Sequence, residues 1–146
     1  MTGPPRLPGV TLRDADRLVQ TALDVGVERG FAPLAVAVID VAGEVVALRR
    51  SDGARPMASR IAVAKARSAL VSLQPSGQLD KVPPGITAAL QAAYGGDFVP
   101  RAGGVLVTEA DVVLGAAGAS GAASEEDEEA VRTAVERWRA ERTPAG

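Results

Sequence analysis

The hydrophobic pattern changes period several times along the chain. Leu12, Ala15, Val19, Ala22 and Leu23 recur at helical spacing, with Thr11 placed to cap that helix, Asp14 three residues on, and Gly30 to end it. After Pro33 the run LAVAVID, Leu34 to Asp40, is apolar without interruption and rich in valine. This is the pattern of a strand covered on both faces. Asp40-Val41-Ala42-Gly43 supplies a turn, and EVVALRR, Glu44 to Arg50, returns as the second strand of a hairpin. Pro56 disfavours helix at Arg55, so the next helix is expected from about Met57 to about Leu73, where Gln74-Pro75-Ser76-Gly77 stops it. A weaker helix is expected from Pro84 to about Ala93, since proline suits a first helical turn, and Phe98-Val99 reads as a short edge strand.

The segment GGVLVTEADVVLGAAGASG, Gly103 to Gly121, reads as a second hairpin with strands at Val105 to Val107 and Val112 to Ala117. A last helix opens at Ser124. Its acids, Glu125, Glu126, Asp127, Glu128 and Glu129, sit near the positive end of the helix dipole, and Arg137, Arg139 and Arg142 near the negative end. Its apolar positions are Ala130, Val131, Ala134, Val135 and Trp138. Hairpins and helices segregated in this way predict an α+β fold with one antiparallel sheet. No repeat and no internal linker is visible. The expected organisation is a flexible segment at 1–10, one domain at 11–142 and a flexible end at 143–146.

Composition narrows the chemistry. Of the 146 residues 47% are apolar but only four are aromatic, so the core has to be built from Ala, Val and Leu with close backbone packing. A net charge of -2 without a clustered basic stripe gives no footprint for nucleic acid. The absence of cysteine excludes disulfides, thiol catalysis and thiolate-ligated metals, and the absence of histidine removes the commonest general base and metal ligand. No apolar run approaches the roughly 20 residues that span a bilayer, and MTGPPRLPGV lacks the layout of a secretory signal. The chain reads as soluble and cytoplasmic, with no membrane partner.

The stretches VAVIDVAGEVVALRRSDGARPMASRIAVAKARSAL and RAGGVLVTEADVVLGAAGASGAASEEDEEAV together resemble the GlcG/HbpS family, the DUF336 or haem-degrading-domain family, related to the PduO C-terminal domain. The likeness runs from about Leu12 to Val135. It is carried by Asp40 with Gly43, Asp52-Gly53-Ala54, Ser59, Lys65 with Ala66, Gly103-Gly104, and Ser120-Gly121 followed by Asp127. The resemblance implies a profilin-like arrangement, a single antiparallel sheet of about five strands flanked by helices, and assembly into homo-oligomers. It adds haem as a ligand of some relatives, although a chain without histidine leaves only Tyr94, Met57, Lys65 or an oxygen donor to face the iron. The residues themselves call for no cofactor and no metal; the acids of SEEDEEA are explained by capping and dipole, and LGAAGASGAAS lacks the Gly-Lys-Ser/Thr end of a phosphate loop.

The candidate ligand-binding residues are Arg50, Asp52, Gly53, Ser59, Lys65, Gly103 and Gly104. Asp52-Gly53 makes a turn, or presents a carboxylate and amides at a pocket mouth beside a helix start. At about 100° per residue Arg60 and Arg67 fall nearly in line, whereas Lys65 lies roughly 140° away among alanines. Its amine therefore snorkels past the sheet edge, pairs with a carboxylate such as Asp40 or Asp52, or lines a cavity. Gly103-Gly104 lets two backbones approach or opens a strand end to a ligand. Two functions fit. One is a small-molecule-binding oligomer whose ligand is haem-like or another hydrophobic or anionic metabolite. The other is a cofactor-independent isomerase, cyclase or lyase of secondary-metabolite biosynthesis, with Lys65 and Asp52 or Tyr94 as catalytic acid and base.

Overall fold

The computed structural model describes residues 3–142. Helix α1 (Leu12–Glu28) is followed by strands β1 (Ala35–Ile39) and β2 (Val45–Arg50), helix α2 (Ala58–Ser72), a 3-10 segment at Ser76–Lys81 and helix α3 (Pro84–Tyr94). A second 3-10 turn at Gly95–Asp97 leads to strands β3 (Gly104–Glu109) and β4 (Val112–Ser120) and helix α4 (Ser124–Arg142). The Thr11 hydroxyl accepts the Asp14 N–H at 3.1 Å, as the capping pattern predicts. Residues 3–9 carry no helix or strand, and Val10 joins the fold by donating its N–H to the Leu114 carbonyl at 3.0 Å. The flexible end expected at 143–146 lies outside the described residues, as do Met1 and Thr2.

Among the described residues the sheet is antiparallel, with four strands in the order β2-β1-β4-β3. The expectation of about five strands is thus corrected to four. Phe98-Val99 does not pair, because its hydrogen-bonding groups are used elsewhere. The Val99 N–H donates to the Ser68 hydroxyl at 2.7 Å, its carbonyl takes the Arg101 N–H at 2.9 Å, and Pro100 has no N–H to give. Phe98 is buried and works as a core plug.

The two faces of the sheet differ in side-chain size. One carries Val36, Val38, Val105 and Val107 against Leu18, Val19 and Val25 of α1 and Val131, Val135 and Trp138 of α4. Each such fully buried aliphatic side chain stabilises the fold by about 1.5–3 kcal/mol. The opposite face carries Ala35, Ala37 and Ala116, and α2 lies on it through Ala58, Ala62, Ala66 and Ala69. Gly104 and Gly118 are register partners on that same face. A Cβ at Gly118 would overlap the Ala62 carbonyl, and one at Gly104 would overlap the Lys65 carbonyl. Alanine and glycine therefore let the α2 backbone rest directly on the sheet.

α3 lies outside this sandwich: none of its residues is buried, and its sequence PGITAALQAAY carries no charge. Among the described residues no helix is long and apolar enough to cross a membrane.

Candidate functional site

Helical periodicity gives α2 two working faces. On the sheet side Lys65 sits among the alanines, and its Nζ donates to the Asp127 carboxylate at 2.9 Å and to the Ala119 carbonyl at 3.3 Å. The side chains of the pair are only 4% and 2% exposed. Asp127 belongs to α4, which covers the other face of the sheet, so the lysine reaches past the start of β3 to meet it. Gly103 makes the passage: a Cβ there would stand 2.7 Å from Lys65 Cδ, and its φ of +137° suits glycine. The second carboxylate oxygen of Asp127 accepts the Ala122 N–H at 3.0 Å. Burial raises the Asp127 carboxyl above its ordinary value, while the hydrogen bond and charge of Lys65 and the Ala122 N–H act in the opposite sense.

The other face of α2 is open. Arg60, Val63, Arg67, Leu70 and Val71 recur at three- and four-residue spacing and line two adjoining grooves beside the β1–β2 hairpin. The larger, about 600 Å³, runs from the turn Val41 to Glu44 past Leu70, Val71, Leu73 and Val113 to Tyr94. The smaller, about 460 Å³, lies between Val45 and Leu48 of β2 and Ser59, Arg60 and Val63 of α2. Both volumes fall within the range of about 300–1,000 Å³ common for small-molecule sites.

Arg67 and Asp97 line both grooves and form their partition. The guanidinium donates to Asp97 at 3.0 Å and to the Gly43 carbonyl at 2.8 Å, tying α2 to the hairpin turn. Asp40 shapes that turn by accepting the Ala42 and Glu44 N–H groups at 2.9 and 3.0 Å. Leu73 is a further feature of the apolar end. It is held left-handed (φ 55°) after α2, a conformation that costs a non-glycine residue about 1–2 kcal/mol, and the residue is 65% exposed where it lines the groove.

The structure divides the predicted residues among four places. Arg50, at the end of β2, is the register partner of Ala35 and so stands on the α2 side of the sheet, and Ser59 lines the smaller groove. Asp52 and Gly53 are exposed in the turn between β2 and α2, closed by an Ala54 N–H to Ser51 carbonyl bond of 3.1 Å. Lys65, Gly103 and Gly104 come together, but behind α2 and buried, and none of them lines either groove. Tyr94 borders the larger groove, stacked on Phe98 with ring centroids 6.2 Å apart.

The partner of Lys65 is thus neither Asp40 nor Asp52. Asp127 was readable as an inward residue, because it falls on the stripe of Ala130, Val131, Ala134, Val135 and Trp138 along α4. Arg67, in line with Arg60, carried the signal for the groove face.

Comparison with known proteins sets these features in a wider group. The solved PduOC:heme complex is 25% identical, with a TM-score of 0.80 over 88% of this chain and 94% of that one. A double mutant of Streptomyces reticuli HbpS is also 25% identical, with a TM-score of 0.79 over 92% of this chain and 90% of that one. Klebsiella pneumoniae protein ORFY, at 24% identity and a TM-score of 0.83 over 94% and 96% of the two chains, shares the fold. No curated protein matches the sequence. The family model for haem degrading protein HbpS-like matches residues 10–136, and by that match the chain belongs to the HbpS-like family.

Proposed function

We propose that this chain is a small-molecule-binding protein that seats an apolar, carboxylate-bearing ligand of the tetrapyrrole class in the groove along α2. The observation that carries the reading is one helix face along which two grooves adjoin across the Arg67–Asp97 partition, with exposed Val71 and Leu73 beside half-buried Leu70 at the apolar end and Arg60 at the cationic end. Such a face offers a flat hydrophobic body its contact area and its carboxylate a charge-assisted hydrogen bond. The likeness to the PduOC:heme complex supports the ligand class.

In this reading Arg50, Ser59 and Arg60 form the carboxylate end, with Asp52 and Gly53 at its mouth, and Tyr94 borders the apolar end. Lys65, Gly103 and Gly104 hold α2 in place from behind. Residues 11–142 act as one domain, and the uncharged, unburied α3 supports assembly into a homo-oligomer. The Lys65 amine, which the enzyme reading needs as an acid or base, is buried against Asp127 and lines neither groove.

Native mass spectrometry of a haemin titration tests both parts together. The expected result is saturation at one haemin per chain on an oligomer, with affinity about tenfold lower in Arg60→Glu, a loss of roughly 1.4 kcal/mol. A titration that never saturates contradicts the reading.

A further inference from the structure

The family and the PduOC:heme complex raise the question of what would hold an iron here. The donors that ligate haem iron strongly are the imidazole of His, the thiolate of Cys, the thioether of Met and the phenolate of Tyr. The chain has no His and no Cys. Of its methionines, Met1 lies outside the described residues, and Met57 is 59% exposed at the start of α2 and lines neither groove.

Tyr94 remains. It is 46% exposed at the groove border with its ring stacked on Phe98. A nearby cation favours ionisation of a phenol, yet Arg67, the only cation lining that groove among the described residues, is already committed to Gly43 and Asp97. Glu44 and Asp97, which share the groove with the phenol, add negative charge instead. The donor set of the larger groove therefore does not fit a strongly ligated iron, while its apolar wall fits the ring and Arg60, in the adjoining smaller groove, fits a carboxylate.

We propose that the groove recognises its ligand through the face and the carboxylates of the macrocycle and makes no use of the metal. This rests on the tetrapyrrole reading above. Metal-free protoporphyrin IX then binds as well as haemin, and the iron, when present, keeps a solvent or weak oxygen ligand.

The test is a pair of titrations of the full-length protein. Free-base protoporphyrin IX is followed by its fluorescence, and ferric haemin by its Soret band. The expected result is two dissociation constants within threefold of each other and a haemin spectrum unaltered in Tyr94→Phe. Haemin binding tenfold or more tighter than the free base overturns this inference alone, as does a haemin spectrum that changes in Tyr94→Phe. Failure of both porphyrins to bind overturns the tetrapyrrole reading and this inference with it.

Discussion

Lys65→Met is expected to destabilise the protein by about 3–5 kcal/mol, because it strands the Asp127 carboxylate in the core without its partner. The loss corresponds to a fall in Tm of roughly 10 °C or more for a domain of this size. The cost is that of an unpaired buried charge and not the net worth of the ion pair. The double variant Lys65→Met/Asp127→Leu removes both charges and should therefore recover to within about 1 kcal/mol of the parent. Urea denaturation of the parent, the two single variants and the double variant measures the coupling. A single variant no less stable than the double would show that the pair is not held away from water. The pair carries this weight because each partner belongs to a different layer: α2 on one face of the sheet, α4 on the other, joined where Gly103 leaves room.

Gly118→Ala is the second large effect. The added methyl group points at the Ala62 carbonyl of α2, which is backbone and cannot swing away as a flexible side chain would. Over-packing of a core costs about 1–3 kcal/mol when side chains can adjust; here the helix itself must lift, so about 3 kcal/mol or more is expected. Lifting α2 also shifts Ser59, Arg60 and Arg67, so any folded Gly118→Ala protein should bind haemin more weakly than the parent. Thermal denaturation and the haemin titration read the two consequences. A Tm within 2 °C of the parent would contradict the direct contact between the helix and the sheet.

The parts of this architecture that were legible in the sequence are those written in short-range pattern. The valine run of β1, the two hairpins, the Thr11 cap and the inline placement of Arg60 and Arg67 all depend on residues within a few positions of each other. A core of small residues and the Gly103-Gly104 pair likewise announced close backbone packing, which Gly104 realises; Gly118, its register partner, does the same without having been singled out. Phe98-Val99 misled because its strand-like composition says nothing of where its hydrogen bonds go, and Ser68, a distant residue on α2, had claimed one of them.

The partner of Lys65 was hidden for a similar reason. Asp127 stands in a run of acids whose other members serve the helix start, and only its phase on α4 distinguishes it. The groove was harder still, since Val41 to Leu48, Ser59 to Leu73 and Tyr94 to Asp97 meet only after α2 has settled on the sheet.

The proposed function divides labour along α2: the face bearing Arg60 and Arg67 would meet the ligand, and the face bearing Lys65 holds the fold. Haemin affinity compared among the parent, Arg60→Glu and the stability-restored Lys65→Met/Asp127→Leu variant tests it most directly. The double variant is expected to bind within threefold of the parent, and Arg60→Glu to weaken binding about tenfold. A double variant that folds but no longer binds haemin, with Arg60→Glu unaffected, would contradict it.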